Sequence, residues 1–126
     1  MPSVLLVDDE PAIRRMLSIM VKSLGLETIP AEDAENALGL LEGNVPDLII
    51  TDVRLPGLSG DELARRVKSV PRLASVPVVL ISAYQEPRGH VADAFLAKPF
   101  DLKALSRLVD LYLAEKREED SERGSE

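Results

Sequence analysis

Short apolar runs alternate along the chain with segments in which apolar residues recur at the spacing of a helix. The runs at 3–7 and 47–51 are apolar through their middle, without a polar residue at every second position, which is typical of strands buried on both faces. After the first run, Ile13, Leu17 and Leu24 fall on one side of a helix. The pattern predicts strands at 3–7, 26–30, 47–51, 76–82 and 94–98, and helices at 11–24, 31–42, 61–70 and 101–116.

Boundary residues agree with this division. Pro11 suits the first turn of a helix, Asp33 suits the cap of the second helix, and Gly25 suits the end of the first. Residues 83–93 have no clear pattern, and we expect one or two helical turns there at most. Strands that alternate with helices favour right-handed βαβ units, so we predict an α/β protein with one parallel sheet covered on both faces.

Composition indicates one domain with an aliphatic core. The 126 residues suit one compact unit, 45% of them are hydrophobic, and only 3% are aromatic. The chain has no cysteine, which excludes disulfides, zinc–thiolate centres and cysteine nucleophiles. We predict a domain at 1–116 and a charged, disordered tail at 117–126.

Charge and hydropathy argue against two classes of partner. A net charge of −7 without a cluster of basic residues argues against nucleic acid. The longest apolar run, 76–81, is far shorter than the roughly 20 residues that span a bilayer, and the N-terminus lacks the features of a secretion signal. We therefore expect a cytoplasmic protein without a membrane segment.

Polar residues follow four of the predicted strands. Asp8 and Asp9 follow the first strand and Asp52 follows the third, while Ser82 ends the fourth and Lys98 ends the fifth. Because ligands bind beyond the carboxyl ends of the strands in an open parallel sheet, we expect these five side chains to share one edge.

The stretches LLVDDEP, DLIITDVRLPGLSGDEL, VPVVLISA and FLAKPF, spread over residues 4–110, closely resemble the response-regulator receiver domain. This family is the phosphoacceptor of two-component signalling. The resemblance implies a (βα)5 flavodoxin-like fold, that is, a doubly wound parallel sheet of five strands in the order 2-1-3-4-5.

The resemblance also implies a Mg²⁺ site. Three neighbouring carboxylates raise one another's pKa, and a divalent cation with oxygen ligands relieves that conflict. By resemblance, Asp9 and Asp52 bind the ion directly, Asp8 binds it through water, and the backbone carbonyl of Arg54 supplies a further ligand.

Further roles follow from the same resemblance. Asp52 is the nucleophile that takes a phosphoryl group from a phosphohistidine, and Lys98 stabilises charge during the transfer. Ser82 then bonds the phosphoryl group, and the aromatic residue Phe95 turns inward in response. The bond before Pro99 is often cis in this family, and the loop 56–60 supports the shape of the site.

Simpler explanations exist for each of these residues. Asp8, Asp9 and Glu10 would favour the start of a helix even without a metal. We interpret His90 as a solvated loop residue and Met16 and Met20 as core residues of the first helix. Tyr84 is either a gate to the phosphoryl group or a plain surface residue.

Two features depart from the family pattern. Ser82 and Lys98 are separated by sixteen positions, several fewer than is usual, so the fourth helix is predicted to be shortened or missing. Phe95 lacks the hydroxyl of the more frequent tyrosine. The last helix has apolar residues on more than one face, so it either covers the gap or offers a site for self-association; these residues are Leu102, Leu105, Leu108, Val109, Leu111, Tyr112 and Leu113.

Three functions are compared on this basis. The favoured one is a stand-alone receiver that takes phosphoryl from a sensor histidine kinase or a histidine phosphotransfer protein, acts through a partner, and does not turn over an external substrate. A haloacid-dehalogenase-like phosphohydrolase would need an acid two residues after Asp52, where the chain has Arg54. A degenerate receiver that binds partners without phosphorylation is the third.

Overall fold

The computed structural model describes the backbone of residues 1–124 and the side chains of residues 1–114. The described chain folds into five strands and four helices, numbered here in chain order. The strands are β1 (Ser3–Val7), β2 (Glu27–Ala31), β3 (Leu48–Asp52), β4 (Val78–Ser82) and β5 (Ala94–Ala97), and the helices are α1 (Pro11–Ser23), α2 (Ala34–Gly43), α3 (Gly60–Ser69) and α4 (Leu102–Gly124).

The five strands form one parallel sheet in the order β2-β1-β3-β4-β5. This confirms the predicted α/β class and strand order. β1, β3 and β4 are almost wholly buried because helices cover both faces of the sheet, which explains why their sequences do not alternate.

Each face of the sheet carries its own core layer. On one face, Leu5, Ile49 and Leu80 pack beneath α2 and α3. On the other face, Leu6, Ile50 and Ile81 pack beneath α1 and α4, whose contributions are Leu17, Val21, Leu105, Val109 and Leu113.

The helices begin where the sequence predicts, within a few residues. The side chain of Asp33 accepts a hydrogen bond of 2.7 Å from the backbone N–H of Asn36, as expected of a cap, and Ser59 caps α3 in the same way. Glu10 occupies the cap position of α1 but makes no side-chain capping bond. The acids after β1 are therefore not explained by the capping of α1 by Glu10.

The fourth helix of the family is missing. Residues 83–93 contain a turn at Arg88 and Gly89 but no helical turn, which agrees with the prediction that the fourth helix is shortened or missing. Pro87 and Gly89 lie within this short connection and disfavour a helix there. As a result β5, the edge strand, stays only partly buried.

The last helix differs from the prediction in length. α4 continues to Gly124, past the predicted end near residue 116. The side chains from residue 115 onward, and residues 125 and 126, lie outside the described residues. The predicted division into a domain at 1–116 and a disordered tail at 117–126 stays a prediction.

α4 covers the sheet on the α1 side. Leu105, Val109 and Leu113 are buried there and Leu108 is partly buried, whereas Leu111 is 70% exposed. The helix therefore does not fill the place of the missing helix, which would lie on the opposite face beside α3. Self-association through α4 stays a prediction, and Leu111 tests it better than Leu108.

Two side-chain predictions were wrong. Met16 is 47% exposed, because the buried stripe of α1 runs through Leu17 and Val21; Met20 is partly buried, as expected. The side chain of His90 is only 12% exposed, and its Nε2 lies 2.7 Å from Glu86 Oε2.

Gly60 packs directly against the end of β3. A Cβ atom built at this position would overlap the backbone oxygen of Asp52. We expect Gly60→Ala to lower the free energy of unfolding by about 1–3 kcal/mol, since the backbone must shift to admit the methyl group. Urea unfolding followed by circular dichroism measures this change.

Gly39→Ala is the matched control, because Gly39 lies within α2 and an added Cβ meets nothing within 4 Å. That substitution should stabilise the protein by roughly 0.5–1 kcal/mol, as alanine does in a helix. Equal effects of the two substitutions would contradict the close contact at Gly60.

Candidate functional site

The predicted polar residues lie at the carboxyl edge of the sheet, as expected. Asp8 directly follows β1, Asp52 ends β3 and Ser82 ends β4. The parallel register pairs Asp52 with Ile81 and Ser82 with Ala97, which places Lys98 directly after the last paired residue of β5. Strands from the centre and one side of the sheet thus supply all of these groups.

Three carboxylates meet at this edge. Asp8, Asp9 and Asp52 each offer an oxygen, and these atoms lie within 4.8 Å of one another. Asp8 is buried, Asp52 is partly buried and Asp9 is exposed, so the cluster opens toward solvent on one side. An oxygen-only donor set with one open side fits a hard divalent cation such as Mg²⁺.

Lys98 bridges two of these acids. Its Nζ donates hydrogen bonds to Asp52 Oδ2 at 3.0 Å and to Asp8 Oδ2 at 3.3 Å, and the side chain is 23% exposed. Burial alone lowers the pKa of Lys98, but the hydrogen bonds and negative charges of Asp52 and Asp8 outweigh it and raise that pKa. Lys98 therefore stays charged at neutral pH. The peptide bond between Lys98 and Pro99 is cis, as the family pattern predicts.

Backbone groups hold the remaining acid oxygens. Asp8 Oδ1 accepts from the N–H of Glu10 at 2.9 Å, and Asp52 Oδ1 accepts from the N–H of Arg54 at 3.2 Å. The guanidinium of Arg14 donates to the backbone oxygen of Asp8 at 2.8 Å, which fixes the turn between β1 and α1. Sequence reasoning missed Arg14, since an arginine on an amphipathic helix carries no local signal of such a contact.

Ser82 shares the edge but bonds elsewhere. Its side chain is buried, and Oγ accepts a 3.0 Å hydrogen bond from the backbone N–H of Tyr84. Within the described residues, the Ser82 hydroxyl makes no hydrogen bond to the side chain of Asp52 or Lys98. Phe95 lies on β5, partly buried against the α2–α3 face of the core, and so stands apart from the carboxylates.

An aromatic ring and a cation stack next to Asp52. Arg54 Cζ lies 3.7 Å from the centroid of the Tyr84 ring, and both residues are exposed. Arg54 follows Asp52 by two positions and Tyr84 follows Ser82 by two, so the pair joins the loops after β3 and β4. Tyr84 is thus a surface residue that is held in one place.

The loop 56–60 is fastened to α2. Glu35 Oε1 accepts from the N–H of Leu58 at 3.2 Å. Gly57 has a φ of +76°, so glycine is needed for its conformation, and a Cβ there would lie 2.7 Å from Glu35 Oε1 at the end of a flexible side chain. Glu35 was missed from the sequence, where it serves equally well as an acid in the first turn of a helix.

An apolar pocket of about 400 Å³ opens beside Lys98. It lies between the start of α1 and the segment that follows β5. The side chains that line it with Lys98 are Ile13, Met16, Leu17, Ala83, Pro99 and Phe100. Met16, whose exposure was unexpected from the sequence, is one of the side chains that line this pocket.

Clustered acids should destabilise the metal-free protein. Asp9→Asn removes one like charge beside Asp8 and Asp52, so we expect the free energy of unfolding in a chelator to rise by roughly 1 kcal/mol. Urea unfolding measures the change. Glu27→Gln is the charge-matched control, because Glu27 is exposed at the opposite edge of the sheet; its effect should stay within about 0.5 kcal/mol. A loss of stability in Asp9→Asn would contradict the repulsion.

Comparison with known proteins adds independent observations. The chain is 40% identical over 114 residues to the gliding motility regulatory protein of Myxococcus xanthus. The aligned region covers 85% of this chain and 15% of that protein. The chain is 35% identical over 109 residues to the phosphate regulon transcriptional regulatory protein PhoB of Pseudomonas aeruginosa, covering 82% and 48%. The chain thus spans less than half of each of these curated relatives.

A solved structure gives the same fold. The response regulator TrrA from Thermotoga maritima, in complex with Mg²⁺ and BeF, matches with a TM-score of 0.81 at 34% identity, covering 90% of this chain and 100% of that one. In the described part of the present chain, no helix combines the length and the apolar character needed to cross a membrane.

A family model of the response regulator receiver domain matches residues 4–110, a range that contains the sheet except for Ser3 and every group at its carboxyl edge. The chain therefore belongs to the response regulator receiver domain family of two-component signalling.

Proposed function

We propose that Asp52 accepts a phosphoryl group from a phosphohistidine of a sensor histidine kinase or a histidine phosphotransfer protein, and that a partner protein reads the change. The observation that carries this proposal is the contact of Lys98 with Asp52 and Asp8 beside a third carboxylate. Membership of the receiver family supports it, as does the complex of TrrA with Mg²⁺ and BeF.

Mg²⁺ is the proposed cofactor. Asp8, Asp9, Asp52 and the backbone carbonyl of Arg54 are the groups proposed to hold it, with Asp8 acting through water. Bound Mg²⁺ would supply positive charge next to the phosphoryl oxygens. The carboxylate oxygens within 4.8 Å of one another fit such an ion.

The nucleophile is a carboxylate oxygen of Asp52. It forms a bond to phosphorus while the phosphorus–nitrogen bond of the donor histidine breaks, and the released imidazole takes a proton from solvent. Lys98, already 3.0 Å from Asp52 Oδ2, balances charge on the transferred group. Water later cleaves the aspartyl phosphate at the same site, so no external substrate is turned over.

Ser82 is the proposed sensor of the phosphoryl group. Its Oγ accepts from the Tyr84 amide, which leaves the hydroxyl proton free to donate to a phosphoryl oxygen. Phe95 is the proposed second switch residue, since it lies on the same strand that leads to Lys98 and is only partly buried.

The donor is proposed to dock over the apolar pocket beside Lys98. Ile13, Met16 and Phe100 line this pocket together with Lys98, whose ammonium group contacts Asp52 and Asp8. A helix of the donor that rests on these side chains would bring its histidine to Asp52. Self-association through the exposed Leu111 of α4 is a separate proposal.

The direct test is phosphoryl uptake from acetyl phosphate with Mg²⁺, recorded as intact protein mass. We expect one added phosphoryl group on the wild-type protein, none in a chelator, and none on Asp52→Asn, whose amide is a far weaker nucleophile than the carboxylate. Phosphate release is measured in parallel, so that rapid hydrolysis is not mistaken for failure to react. If the wild-type protein shows no adduct and also releases no phosphate, the proposal is contradicted.

The Arg54–Tyr84 stack should set the lifetime of the aspartyl phosphate. We expect the stacked pair to shield the surface beside Asp52 from water. Arg54→Ala and Tyr84→Ala should therefore each admit water to the aspartyl phosphate and speed dephosphorylation severalfold. Since the two groups act together, the double variant should be no faster than the faster single variant. Additive effects would show that each residue acts by itself, and slower dephosphorylation would contradict shielding.

A degenerate receiver is the second candidate function. The missing fourth helix and the absence of a hydroxyl on Phe95 favour it, since both alter the region that responds in the family. The mass measurement separates the two candidates.

Residues 1–116 are the proposed extent of the domain, with 117–126 as its tail.

A further inference from the structure

β5 must place Lys98 accurately although it has support from a neighbouring strand on one side only. It carries Lys98 to the carboxylates, yet it is the partly exposed edge strand and follows the connection 83–93, which has no helix. A slip of one residue would move Lys98 by about 3.3 Å and turn its side chain to the other face of the sheet. Some contact must therefore fix the register of β5 against β4.

Asp93 makes that contact at the start of the strand. Its backbone N–H donates to the oxygen of Val78 at 2.8 Å, and its Oδ2 accepts from the N–H of Val78 at 2.8 Å. One residue thus engages both backbone groups of the first residue of β4. At the other end of the pair, the N–H of Lys98 donates to the oxygen of Ser82 at 2.8 Å.

Lys68 holds Asp93 in place. Its Nζ donates to Asp93 Oδ2 at 2.8 Å, to the backbone oxygen of Val76 at 2.8 Å and to that of Ala74 at 3.4 Å. The ammonium group has three protons to donate, so these acceptors use all of them. One side chain from the end of α3 therefore ties together the α3–β4 loop and the start of β5.

A further contact comes from the opposite face. The hydroxyl of Tyr112 on α4 donates to the backbone oxygen of Asp93 at 3.1 Å. The residue at the start of β5 is thus held by β4, by α3 and by α4. Partly exposed ion pairs contribute little to stability in general, so the value of this cluster is its geometry.

We infer that Asp93, held by Lys68, is a positioning residue that sets where Lys98 lies against Asp52. The cluster takes over the support that the missing helix no longer gives to β5. This inference rests on the proposed function for its kinetic consequence, but its structural consequence is independent of phosphoryl transfer.

The kinetic arm compares rates of phosphoryl uptake from acetyl phosphate. We expect Asp93→Ala and Lys68→Met to slow uptake by about tenfold, since small displacements of a catalytic group have effects of that size or larger. Asp93→Asn keeps an acceptor for the Val78 amide and should recover much of the rate. Mg²⁺ affinity should stay within about twofold, because its proposed ligands lie on or directly after β1 and β3.

Arg72→Met is the matched control. Arg72 donates to the backbone oxygen of Leu41 and so joins the α3–β4 loop to α2 without touching β5. It should leave the rate unchanged. In a Lys98→Met background, Asp93→Ala should change the remaining rate by less than about twofold, since its effect acts through Lys98.

The structural arm measures amide hydrogen exchange. In Asp93→Ala, exchange at the Lys98 amide should become faster by about tenfold or more, whereas the Val53 amide, which donates to Ile81 at 3.0 Å, should keep its protection. Equal loss of protection at both amides would indicate general destabilisation and would overturn the inference.

The remaining outcomes are also decisive. Unchanged uptake in Asp93→Ala, or equal slowing in the Lys98→Met background, would overturn the positioning role. If the wild-type protein takes up no phosphoryl group, the proposed function fails, and the exchange arm alone decides whether Asp93 fixes β5. If Asp93→Ala does not fold, Asp93→Asn and Lys68→Met carry both arms.

Discussion

The site depends on an electrostatic conflict that the parallel sheet imposes. The strands β1 and β3 are neighbours and run in the same direction, so the carboxylates that follow or end them must meet at one edge. Asp8, Asp9 and Asp52 repel one another there, and Lys98 is the cation that balances two of them. Lys98 reduces the repulsion between the acids in the metal-free protein, and a bound divalent cation would neutralise the remaining negative charge.

Much of this was predictable because it rests on patterns that are local in sequence. Unbroken apolar runs mark buried strands, and a polar residue directly after each run marks the edge where ligands bind. Asp52, Ser82 and Lys98 were all placed in this way, and Asp33 was identified as a cap from its position alone. The strand order came from the resemblance to a family, since periodicity alone does not give it.

What could not be predicted depends on contacts between residues far apart in the chain. Lys68 and Asp93 lie 25 positions apart, and Glu35 lies 23 positions before Leu58, so no local pattern connects them. Met16 was misplaced because helical spacing leaves a residue beside the buried stripe ambiguous, and here a pocket opens next to it. His90 was misplaced because it lies in an irregular loop, where no periodic pattern indicates which side chains are buried.

The close contact of Gly60 has a mechanical consequence. The carbonyl group of Asp52 packs against the first turn of α3, and β3 is hydrogen-bonded on both sides, so Asp52 rests on a stiff support. Lys98, by contrast, follows a short edge strand that is held in place by a few polar contacts. Under the proposed function, stress from a bulky anion on Asp52 would therefore relax toward the β5 side, and the motion proposed to be read by a partner would begin there.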